Sequence, residues 1–202
     1  MSQQDQNPVQ KLPSSGGRRR FLGAGAAAAP AVLTLVSQPA LGTTCFSPSR
    51  SLSRNTSVSQ QGLYGECRNA ESPGNYKAQQ TPGAQAYHWP AAIPPSTPFH
   101  PTFSGTKFTT GSGSSYRSMT MGEVLNLSGS ADPEKMAFHL IGAYLNVNGG
   151  NGAVIPSNVI TAGEITTIWH EWSTRGYFEP TAGVQWNATA IKYYLVSNGI
   201  II

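Results

Sequence analysis

His170 and Glu171 stand side by side in Trp169-His170-Glu171-Trp172-Ser173-Thr174, which is the first half of the pattern H-E-x-x-H. In that pattern two histidines four residues apart face one zinc ion from the same side of a helix, and the glutamate acts as general base. Here the last position is Thr174, so a metal would need a ligand from elsewhere, with His139 the candidate on another helix. Both His170 and Glu171 fall off the apolar stripe Ile165, Ile168, Trp169 and Trp172, which makes a solvated helix face the simpler reading. No metal and no cofactor are therefore expected.

Other constellations are thinner. Glycoside hydrolysis needs two carboxyl groups about 5 to 9 Å apart. Glu171 and Glu179 are the candidates because aromatic residues surround them, while Glu164 and Asp132 are accounted for as charges at helix starts. Gly111-Ser112-Gly113 is only a fragment of G-x-S-x-G and lacks the strand and helix that such a nucleophile needs. Asn146, Asn148 and Asn151 sit in a Gly-rich loop without a carboxylate, too weak a set for calcium. Trp89, Tyr177 and Trp186, with Tyr87 and Phe178 beside them, lie in loops or at helix ends. Flat rings there can carry a sugar or peptide, or can lid a small core.

The elements that must position these residues separate into two halves. From Ser47 to Gly62 the chain is rich in Ser, Arg, Asn and Gln, and from Ser72 to Pro101 it carries seven prolines. Such a half should wrap a core as extended coil and turns. The second half is helical in pattern. Thr120-x-x-Glu123 and Thr161-x-x-Glu164 are capping boxes, the first before a short helix through Leu127, the second before a helix ended by Arg175-Gly176. Asp132-Pro133 opens a helix running to about Val147, with Ala137, Leu140, Ile141, Tyr144 and Leu145 on one face. Asn187 caps a last helix whose Ile191, Tyr194 and Leu195 face inward, and the tail Ile200-Ile201-Ile202 should pack back. The expected fold is mainly α: three to four helices over residues 120–202, with an irregular, disulfide-pinned Pro/Gly/Ser-rich arm over 43–119, the two forming one domain.

Arg18-Arg19-Arg20-Phe21-Leu22, followed by an apolar Ala/Gly-rich stretch to Val36, matches the core of a twin-arginine export signal, with Arg18, Arg19, Phe21 and Leu22 as its recognised residues. The 16 residues from Phe21 to Val36 fall short of the roughly 20 that span a membrane. Ala40-Leu41-Gly42 offers a cleavage site after Gly42, so residues 1–42 would leave and no membrane span would remain; an uncleaved N-terminal anchor is the alternative. The whole chain carries a net charge of +4, yet four of its basic residues precede Thr43, and the part from Thr43 on is close to neutral. That balance excludes a basic footprint for nucleic acid. Cys45 and Cys67 are the only cysteines, and an even pair in an exported chain reads as a disulfide worth roughly 3 kcal/mol.

The segment Ser72-Pro73-Gly74-Asn75-Tyr76-Lys77, preceded by Cys67 and followed by Trp89-Pro90, resembles a group of exported bacterial proteins marked by a cysteine and an S-P-G-aromatic-aromatic-K segment. A second stretch of resemblance runs from Gly176-Tyr177-Phe178-Glu179-Pro180-Thr181-Ala182-Gly183-Val184 through Trp186 to Tyr193-Tyr194-Leu195. Asn75 departs from that pattern, standing where an aromatic is usual. The resemblance implies a shared architecture and export, and it carries no catalytic residues. The functional expectation is a periplasmic or secreted, non-catalytic binding or structural component of the bacterial envelope or exterior. Its partners would be the twin-arginine translocase during export and then a glycan or other envelope component. The alternative is a small metal-dependent or glycan-active hydrolase using His170, Glu171 and Glu179.

Overall fold

A computed structural model describes residues 43–53, 64–80, 88–105, 116–127 and 131–202. The export segment with Arg18, Arg19, Phe21 and Leu22, together with Tyr87 and the Gly111–Ser115 loop, lies outside them. Six α-helices are present among the described residues: α1 Pro48–Ser51, α2 Pro73–Ala78, α3 Met121–Leu125, α4 Met136–Val147, α5 Ala162–Arg175 and α6 Ala188–Ser197. Four strands accompany them: β1 Thr43–Phe46, β2 Tyr64–Cys67, β3 Phe178–Thr181 and β4 Val184–Trp186.

The fold is therefore mixed α and β, and the expectation of a mainly α protein with three to four helices is corrected. Two antiparallel hairpins overturn it, β1 with β2 and β3 with β4. In the first, Thr43 faces Cys67 and Cys45 faces Gly65, so the two cysteines lie diagonally on the pair and close a disulfide with Cα atoms 5.9 Å apart. β1 is rich in strand-forming Thr and Phe. At four residues, beside a polar segment, it is too short to show a period. In the second hairpin, Gly183 at φ 79° makes the turn, and Phe178 pairs with Trp186. Pro180 is tolerated within β3 because both strands of a two-stranded ribbon are edges.

The arm expected to be irregular also contains two helices. Ser72 accepts the Asn75 N–H in its side chain and Pro73 fills the first helical position, so α2 starts from a side-chain cap and a preset φ. Pro73 then lies against Gly142 of α4, where a Cβ would come within 2.6 Å of the proline ring. That close approach requires glycine. Over residues 88–105 the Pro-rich chain does run as turns, and its Phe99 and Phe103 stack at 4.8 Å and meet Trp169 of α5 edge-on.

α4 is the central helix, packed by α2, α3, α5 and α6. Its buried residues include Met136, Ala137, Leu140, Ile141, Gly142, Ala143, Leu145 and Asn146, more than one face. Tyr144, placed in that face by the sequence pattern, is only half-buried. Both capping boxes form, Thr120 with Glu123 and Thr161 with Glu164, and Asn187 caps α6. The start of α4 differs from expectation. Pro133–Lys135 forms a separate turn with Glu134 and Lys135 at positive φ, and the buried Asp132 carboxylate instead accepts the N–H groups of Ala137 and Phe138. Burial pushes the Asp132 carboxyl up from its ordinary value against those two bonds. No helix among the described residues is long and apolar enough to cross a membrane.

Candidate functional site

α5 presents His170 to solvent, where its Nδ1 lies 3.1 Å from the Ser104 carbonyl oxygen. One turn on, Arg175 donates to Glu171 at 2.5 Å, and the same Glu171 oxygen accepts the Glu179 N–H at 3.1 Å. Glu179 accepts the Gly183 N–H at 2.7 Å and lies 3.8 Å from Arg175, whose guanidinium covers the Tyr177 ring at 4.8 Å. The two acids are thus brought together around one cation. In that position they fasten the end of α5 to the β3–β4 hairpin. His139 is on α4 with its Nδ1 buried and without a partner; burial first, and then Lys192 and Lys135, bring its pKa down to about 4. No group of three or more His, Cys, Asp or Glu side chains converges among the described residues.

A polar centre that the sequence did not announce lies beneath α2. Asn146, fully buried on α4, accepts from the Glu71 N–H at 3.0 Å and the Tyr76 hydroxyl at 2.6 Å, and it donates to the carbonyls of Glu71 at 2.9 Å and Ile200 at 2.8 Å. Burial, and next the Glu71 carboxylate, raise the Tyr76 hydroxyl pKa. Above it Glu71 lies 3.5 Å from His88 and accepts from Asn75 and Asn151. The only local signal for this centre is the Ser72-Pro73 helix start; the groups bonded to Asn146 are 54 to 75 residues from it in the chain. It joins the N-terminal arm, α4 and the tail.

The three aromatic candidates part company. Trp89 is buried and donates to the Tyr76 carbonyl at 2.9 Å, so it is core. Tyr177 lies under Arg175. Trp186 lines a cleft of about 160 Å³ together with Ser51, Leu52, Ala190, Tyr193, Tyr194, Ser197 and Asn198. Trp186 is only 8% exposed and floors it, packed 5.1 Å from the Tyr194 ring, whereas Tyr193 is 67% exposed and free to lie against a ligand. Tyr194 is held by its hydroxyl, which donates to the Phe46 carbonyl at 3.0 Å, and Asn198 accepts the Phe46 N–H at 3.0 Å. The floor is therefore rigid.

The alternation of buried and exposed residues on α6 explains the arrangement. Ile191, Tyr194 and Leu195 turn into the core, and this leaves Tyr193 and Val196 outside. Sequence reasoning assigned the inward residues and passed over Tyr193. Its signal was present in the same helical period, read from the opposite face. A second cleft, of about 200 Å³, is lined by Ser47, Pro48, Ser49, Asn158, Glu164, Thr167, Phe178 and Pro180. No protein-family model, curated protein or solved structure gives a significant match to this chain.

Proposed function

We propose that this chain is an exported, non-catalytic binding component of the bacterial envelope or exterior, and that its α6 cleft takes a sugar ring. The observation that carries the reading is the open Tyr193 ring beside a cleft floored by Trp186 and Tyr194. Half-exposed Leu52 lines the same cleft, and Val196 is exposed on the same helix as Tyr193. Ser51 and Ser197 at the rim add hydroxyls to the apolar lining, the mixture that small-ligand sites use. At about 160 Å³ the cleft is below the roughly 300 Å³ where drug-sized pockets begin, which suits one ring of a longer chain.

Titration of soluble peptidoglycan fragments and chito-oligosaccharides by calorimetry tests this. The chain should bind at least one of them, and Tyr193→Ala should weaken binding at least tenfold while leaving the melting temperature unchanged. Absence of binding to every glycan at millimolar concentration would remove the proposal.

A further inference from the structure

We infer that Glu71 and His88 are the direct ligands of a divalent transition-metal cation of the zinc class, with the amide oxygens of Asn75 and Asn151 completing the site. It shares no residue with the α6 cleft and stands independently of the glycan reading. Glu71 and His88 are mostly buried, their side chains 13 and 14% exposed, and among the described residues no lysine or arginine pairs with Glu71. The His88 Nδ1 is buried, makes no hydrogen bond and lies 3.5 Å from Glu71 Oε1. A buried nitrogen of that kind calls for a partner. With the ring proton on Nε2, the Nδ1 lone pair and the carboxylate can share one cation. Two atoms bound to a tetrahedral zinc ion stand about 3.3 to 3.5 Å from each other, given bonds of about 2.0 to 2.2 Å, so the pair already has the spacing of two ligands.

Backbone contacts hold the four side chains in place. The Glu71 N–H and carbonyl are both bonded to the buried Asn146 amide, at 3.0 and 2.9 Å. The Asn151 N–H donates to the His88 carbonyl at 2.8 Å, and Asn75 is fixed in the first turn of α2 by the Ser72 side chain. Asn75 donates its amide to Glu71 Oε2 and Asn151 donates to Oε1. Half a turn about the last side-chain bond replaces the amide nitrogen by its oxygen. The two amides that serve the bare carboxylate can therefore face a cation bound to it. The Gly-rich loop around Asn151 has no carboxylate of its own, and Glu71, 80 positions away, brings one. The donor set fixes the class of ion: imidazole suits zinc and its transition-metal neighbours, whereas calcium and magnesium take oxygen ligands.

Calorimetric titration of zinc into the purified protein, stripped with EDTA and desalted, tests the site. One zinc ion should bind per chain with micromolar affinity, at least tenfold more tightly than calcium. Glu71→Gln keeps both backbone bonds to Asn146, and it and His88→Gln should each weaken zinc binding at least tenfold. His170→Ala, at a histidine outside the site, should leave the affinity unchanged. Asn151→Asp adds a second carboxylate and should tighten binding severalfold, a gain that no misfolded variant can imitate. Absence of zinc binding at submillimolar concentration would overturn the inference and leave Glu71 and His88 as an ion pair only. Calcium bound as tightly as zinc, zinc binding that survives both Glu71→Gln and His88→Gln, or binding lost with His170→Ala would overturn it as well.

Discussion

Asn146 uses its full hydrogen-bonding capacity inside the core, two bonds accepted and two donated, and two of the four groups it satisfies, the Tyr76 hydroxyl and the Ile200 carbonyl, are buried. Asn146→Leu keeps the volume and orphans all four. Stability measured by urea denaturation should fall by roughly 3 kcal/mol or more, because each buried polar group left unpaired costs about 1 to 3 kcal/mol. A loss below about 1 kcal/mol would mean that the groups find other partners. His139 gives a pH dependence of known sign. Its folded pKa, about 4, lies below the ordinary 6.5, so the unfolded chain binds the proton more readily. Stability is therefore at its full value above pH 6.5 and is lost progressively as the pH falls toward 4. His139→Leu should therefore lose less stability than the wild type between pH 7 and 4.5 in thermal melts; equal losses would rule this out. Neither role was legible from sequence. Asn146 read as part of a Gly-rich loop, because its partners at Glu71, Tyr76 and Ile200 meet it only in the folded chain.

Elements whose signals are local were legible. Capping boxes at Thr120 and Thr161 and the Asn187 cap are contacts three residues apart, and the helices they start form as expected. Hairpins were not. β1 and β2 are joined across residues whose composition says nothing of pairing, and the β3–β4 register includes an irregularity between Phe178 and Thr181 that breaks a simple alternation. Asp132 shows a subtler miss: the residue type was right for a cap, yet the turn at Glu134 and Lys135 moved the helix start beyond it. The disulfide across β1 and β2 spans 22 positions, which on the chain-entropy account is worth roughly 3 kcal/mol. Reduction should lower the melting temperature by several degrees, and Cys45→Ala with Cys67→Ala should reproduce the reduced value without added reductant. A reduced protein as stable as the oxidised one would show that the hairpin is held by its packing alone.

At the scale of the whole molecule the inward packing of the tail was legible in the sequence, and the assembly of the clefts was not. Ile200 and Ile201 are buried, and Ile202 is 70% exposed, so most of the apolar tail belongs to the chain's own core. Trp186 was identified as a ring able to meet a ligand, but its neighbours Leu52 and Tyr193 come from elements 130 or more residues apart. Charge patterning could not place them together. The export proposal has its own test at this scale. Arg18→Lys with Arg19→Lys should retain the protein in the cytoplasm, and the wild-type exported form should begin at Thr43 by N-terminal sequencing. Export of the double variant would refute it.

The position of the cysteines then fixes an order of events. A twin-arginine substrate crosses the membrane already folded, and it leaves a compartment that keeps thiols reduced. Cys45 and Cys67 both lie in the first hairpin, and α2 to α6 contain no cysteine. Before such transit, β1 is held by the bonds of Phe46 to Tyr194 and Asn198, by its ladder to β2 and by the burial of Phe46. On the export proposal the covalent link is a late seal, closed after arrival on a shape the chain has already reached.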